Sequence, residues 1–246
     1  HDLAAELVRH TGGNQLYLLE TLKSRQLQGG AAGRMPQPAS VGALIERRLR
    51  QLSPAALALA RVAALAGDDF DIELAEAVLG SSTLALTEPW AELEAAQVLR
   101  EQRFAHDLVF EATLRTVPTV VAARLHGQLA AHLEGRGAEP AHIAAHWLAA
   151  RQGLKAVPWL VTAGERALAR FQRGAAGEHH WAAALELLAA GDRDAAFHQF
   201  YRCAEAWSEL SDLPRLEALR EQLMQLAGND AQWARAHLAA ARVHDF

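Results

Sequence analysis

The chain has 246 residues, 51% of them hydrophobic and 6% aromatic, and a formal net charge of −5. Its length allows one large domain or two to three small ones, with enough apolar residues for a proper core. The mild charge favours solubility and supplies no field for nucleic acid.

Abundant Ala and Leu favour helix, and the scarcity of Val, Ile and Thr runs argues against a large sheet. Arginine far outnumbers lysine, with Lys23 and Lys155 the only lysines. Cys203 is the single cysteine, which excludes an internal disulfide and a four-cysteine zinc site and fits a reducing cytoplasm. No apolar run reaches the roughly 18 residues of a membrane span. His1-Asp2-Leu3 has neither initiator Met nor basic n-region, and the chain stops in a helical pattern; both ends read as cuts in a longer, cytoplasmic protein.

Residues 1–27 predict helix, break and helix, with Thr11-Gly12-Gly13-Asn14 as the break. Residues 28–39, rich in Gly, Ala and Pro, predict a linker. A helix follows from about Ser40, with Val41, Leu44, Ile45, Leu49 and Leu52 on one face and Glu46, Arg47, Arg48 and Arg50 largely off it; the three arginines make a small basic face, either solvated or a domain contact. Ser53-Pro54 restarts a helix, Asp71 opens another and Gly80 closes it. A further helix runs from about Thr87 to Gln97. Val98 to Ala105 predicts a tight hairpin, and a helix after His106 ends near Pro118. Helices followed by a small hairpin make a winged-helix pattern.

From Thr119 onward the chain reads as helix pairs, with Leu125, Leu129 and Leu133 as one stripe. Gly153, Gly191 and Gly228 recur at intervals of 38 and 37 residues, each before a helix with an early aromatic: Trp159, Phe197 and Trp233. Such a period implies stacked helix-turn-helix repeats, slightly longer than the tetratricopeptide repeat. The expected fold is therefore all-α: a winged-helix-like domain over 39–118 with a short β-hairpin, then a tetratricopeptide-like array over 119–246.

No catalytic constellation is evident. A phosphate loop needs Gly-Lys followed by Ser or Thr, and neither Lys23 nor Lys155 sits in one. Ala63 to Asp69 has a Walker B-like order, but its flanks predict helix. His142 and His146 share a helical face without a third metal ligand, so no metal site is expected. Cys203, beside Tyr201, Ala204 and Trp207, predicts a core or groove position. Glu88, Glu92 and Glu94 on the third helix of the winged-helix pattern oppose direct nucleic-acid binding. Trp159, Arg166, Arg170, Trp181, Tyr201 and Trp207 are candidates for a partner-binding groove on the array, or for packing between its helices. On chemistry alone His106 predicts a helix cap, with Asp107 favourable at the helix N-terminus.

Four stretches together resemble the STAND-type signalling ATPases, AAA-like regulators with a winged helix and a tetratricopeptide-like arm. Thr11 to Glu20 is similar to the family's Thr-Gly-Gly-Asn-Pro-Leu-Phe lid segment, with Gln15 standing where the family has Pro. Val41 to Leu49 with Leu52-Ser53-Pro54 resembles the opening of the winged helix. Arg103 to Val109 resembles its exit, and Ala145 to Ala150 the start of the arm.

The resemblance implies that residues 1–38 are a remnant of the ATPase lid. It also implies that His106-Asp107 and Asn14-Gln15 sense nucleotide, the histidine touching the β-phosphate of ADP. No cofactor is expected on this fragment; ATP or ADP with Mg belongs to the parent, whose ATPase core and output domain lie elsewhere in the same protein. The implied function is that of a transcription regulator's relay, with an arm that senses a protein or small-molecule inducer. The alternatives are a stand-alone tetratricopeptide-like adaptor and a DNA-binding winged helix.

Overall fold

A computed structural model describes residues 41–208 and 212–244. Among them are twelve α-helices and one two-stranded antiparallel ladder, so the chain is predominantly α-helical. The expectations for 1–38, including Asn14 and Gln15, lie outside the described residues. No described helix is long and apolar enough to cross a membrane. The chain divides into two compact units, residues 1–121 and 122–246.

The first unit holds α1 (Val41–Gln51), α2 (Pro54–Ala66), α3 (Ile72–Leu79), α4 (Thr83–Ala95), β1 (Leu99–Arg100), β2 (Arg103–Phe104) and α5 (Asp107–Arg115). Its centre is α2, which packs against α3, α4 and α5. Alanine at most of its buried positions lets three neighbours approach closely. Side-chain caps fix where the helices begin. Ser53 Oγ accepts from Ala56 N at 3.1 Å, Asp71 from Leu74 N at 2.8 Å and Ser82 from Ala85 N at 3.4 Å. Glu92 on α4 ties two helices together: its Oε1 accepts from the Ser53 N–H at 2.7 Å, and its other oxygen accepts from the Ser53 hydroxyl.

Two expectations need correction here. α4 begins at Thr83, not Thr87, because Ser82 supplies the cap and the helix runs through Pro89. Pro89 donates no hydrogen bond, but it is buried beside Leu86 and Leu93, which offsets that loss. Arg48 is also not on a solvated face. It is 6% exposed, one turn from Leu44 on the buried side of α1, and burial lowers its guanidinium to about 10.

The second unit holds α6 (Thr119–Arg136), α7 (Pro140–Ala149), α8 (Gly153–Ala169), α9 (Arg173–Ala189), α10 (Arg193–Trp207), α11 (Leu213–Leu226) and α12 (Asp230–His244). From α7 on, each helix packs on the next. The turns after α7, α8 and α9 share one geometry. Gln152 N reaches Trp147 O, Gln172 N reaches Ala167 O and Asp192 N reaches Leu187 O, at 3.0, 2.9 and 3.0 Å. These are Schellman closures, whose left-handed residue is Arg151, Phe171 and Gly191 in turn, at φ 58°, 60° and 86°.

The core follows the same interval. Ala156, Ala176, Ala196, Leu216 and Ala236 are all buried and stand 20 residues apart. The unit is therefore one helix and its turn, and a helix pair takes 40 residues. The glycine intervals of 38 and 37 residues mark chain breaks, not the packing register: Gly153 is the first residue of α8, whereas Gly191 and Gly228 each precede their helix by two.

Candidate functional site

The segment around His106 is built by a helix end and a strained turn. α4 closes with Val98 N on Leu93 O at 2.9 Å, and Gln97 takes the left-handed conformation at φ 51°. That reversal sends Val98 and Leu99 into the core, 0% and 2% exposed. β1 and β2 pair Leu99 with Phe104 and Arg100 with Arg103, leaving Glu101-Gln102 as a two-residue turn. Glu101 has φ 58°, a conformation glycine holds at less cost.

Ala105 N then bonds Val98 O at 3.0 Å and delivers the chain to His106. His106 is the N-cap residue of α5 by backbone, its carbonyl accepting from Val109 N at 3.0 Å. Its exposed side chain makes no cap bond, so it caps the helix only through its backbone. Asp107 is exposed in the first turn, where a carboxylate suits the helix dipole.

His106 lines a depression of ≈ 600 Å³ with Glu94, Gln97, Arg100 and Glu101. An imidazole and a guanidinium can both donate to an anion there. Two carboxylates face that single guanidinium, so this wall alone does not hold a phosphate against water. It can contact a ligand that another part of a protein already grips.

The six groove candidates fall into two groups. Trp159 and Trp147 both donate to Glu134, Trp159 at 2.7 Å. Arg166 and Arg170 both reach Glu139, at 3.5 and 3.7 Å. Trp181 stands edge-on to Phe200 and stacks on Trp207, with centroids 5.0 and 5.9 Å apart. Tyr201 lies under Arg235 at 5.6 Å. Trp207 is 3% exposed and donates to Gly174 O at 3.2 Å, so it packs between helices and presents no free face.

Cys203 is fully buried in the same cluster, and burial pushes its thiol well above the usual range. His146 is buried too, its Nδ1 2.8 Å from His126 Nδ1, while His142 is exposed. No group of three His, Cys, Asp or Glu able to hold a metal exists among the described residues. Ala63 to Ala66 are the end of α2 and Asp68-Asp69 a 3-10 turn, so that stretch is no strand presenting an aspartate.

Sequence reasoning missed Glu134 and Glu139, the anchors of Trp159, Arg166 and Arg170. It also missed Arg61, although Arg61 is the only charge in α2. No known protein family, curated protein or solved structure matches the chain.

Proposed function

We propose that the chain is the winged-helix and helical-arm region of a STAND-type signalling ATPase of the transcription-regulating kind. In this reading the first unit relays nucleotide state, and the tetratricopeptide-like arm binds a partner or inducer. The observation that carries it is His106. The histidine leaves a two-stranded hairpin, sits at a helix N-terminus and lines an open depression without spending its side chain on a cap. A phosphate gripped by an ATPase core in the same protein would find a donor there.

The test is His106→Ala in the full-length protein. Raised basal output with faster ADP loss supports the relay, whereas unchanged output and unchanged ADP retention overturn it. The reading also requires a Gly-Lys-Ser/Thr phosphate loop encoded upstream of His1.

A second reading, a partner-binding adaptor of tetratricopeptide-like type, is favoured by the regular 20-residue packing register. Its two-helix unit of 40 residues exceeds the tetratricopeptide period of about 34. Direct DNA binding is disfavoured by α4, where Glu88 and Glu94 are exposed and Glu92 is engaged by Ser53.

A further inference from the structure

Arg61 is the one charged residue of an otherwise apolar α2. It is half-buried, and its Nε donates to Thr116 Oγ1 at 3.0 Å, just past the end of α5. The same hydroxyl donates to Thr113 O at 2.7 Å, so its single proton is committed and it can only accept from Arg61. This chain of bonds fixes the plane of the guanidinium. The two terminal nitrogens, the fork that matches a carboxylate or phosphate, have no protein acceptor among the described residues.

Arg61 lines an open-sided cavity of ≈ 220 Å³ between α1, α2 and α5. Arg50 and Arg115 line it as well, each paired with a glutamate four residues earlier: Glu46 at 3.6 Å and Glu111 at 3.7 Å. Those exposed pairs leave Arg61 without an acidic partner among the described residues. Three guanidiniums face one lining carboxylate, in a chain that is acidic overall. The floor is apolar, formed by Leu49, Leu57 and Ala112.

We propose that this cavity binds a small organic oxyanion, a carboxylate or phosphate monoester with a short apolar body. The Arg61 fork takes two oxygens, the outer arginines supply long-range attraction and the floor takes the apolar part. A preorganised fork loses little entropy on binding, which is the advantage of the Thr116 anchor. The volume suits a ligand body smaller than the drug-sized molecules that fill pockets of roughly 300 Å³ and above. The site shares no residue with the depression at His106 and does not depend on the signalling reading.

Titrating the full chain with benzoate and with phenyl phosphate tests this. A Kd on the order of 1 mM is expected for at least one of them. Arg61→Gln should weaken it about tenfold, and Thr116→Val should weaken it less because charge is kept and only the anchor is lost. Arg103→Gln, removing an arginine from the exposed hairpin, should leave it unchanged. Amide shifts in wild-type protein should map to Leu57 and Ala112, which locates the site even if a variant folds poorly. The stronger of the two probes identifies the oxyanion class. The proposal is overturned if neither probe binds up to about 10 mM, if Arg61→Gln and Arg103→Gln act alike, if the shifts map elsewhere, or if inorganic phosphate binds as tightly as phenyl phosphate.

Discussion

The two units solve the same problem, burying helices rich in alanine, by opposite means. In the first, one helix is central and two of its neighbours are tied to it by individual polar links: Glu92 of α4 to Ser53, and Thr116 past α5 to Arg61. In the second, no helix is central, and stability comes from repeating one contact pattern at 20-residue steps. A unit with a hub should unfold as a whole when a link is cut. A serial array should fail near the damage, because each helix mainly contacts its neighbours.

Removing a large, fully buried array side chain is the strongest way to break that contrast. Phe200→Ala should cost about 3–5 kcal/mol, since Phe200 is fully enclosed between α9, α10 and α11. Hydrogen exchange should show α9 to α11 losing protection while α2 keeps it; equal losses in both units would end the distinction. In the first unit Glu92→Gln should cost about 1–2 kcal/mol, because it weakens both bonds to the α2 cap at once. Here exchange should rise across α2, α3, α4 and α5 together.

Acid sharpens the comparison further. His180 is fully enclosed at the register position that Leu160 and Phe200 occupy in the neighbouring helices. Its Nδ1 is 2.9 Å from Gln199 Oε1, while its Nε2 is buried without a partner. Burial lowers its pKa, so the unfolded chain takes up a proton at a higher pH than the folded one. The array should then be fully stable above the unfolded value of 6.5 and lose stability as pH falls below it. Thermal unfolding from pH 8 down to about pH 5 checks the sign, and His180→Leu should flatten the slope. A slope unchanged by that substitution assigns the effect to other groups. The smallest expected effect is a gain: Phe171→Gly should stabilise the array by roughly 0.5–1 kcal/mol, seen as a raised Tm, by relieving a left-handed phenylalanine that is 88% exposed.

The same contrast explains what was legible in the sequence. Caps are local chemistry, so Ser53-Pro54, Asp71 and Gly80 announced their helices directly. The hairpin at 98–105 was legible because its apolar residues are short-range and flank a two-residue turn. Arg48 was misread because charge was given more weight than its position one turn after Leu44. The packing register was missed because glycine is conspicuous in a sequence, whereas a buried alanine among many alanines is not. At the candidate site, His106 stood out through its neighbours in the chain. Arg61 did not, because Thr116 and the other two arginines reach it only through the fold.

The equal spacing of the turns has a consequence for how such an array can lengthen or shorten. Successive helices joined by short Schellman turns run in opposite directions. Duplicating one 20-residue segment would keep adjacent helices antiparallel but reverse every later helix relative to the earlier ones. Duplicating 40 residues keeps that relative direction, so tolerated insertions and deletions in this part of the gene should come in whole pairs.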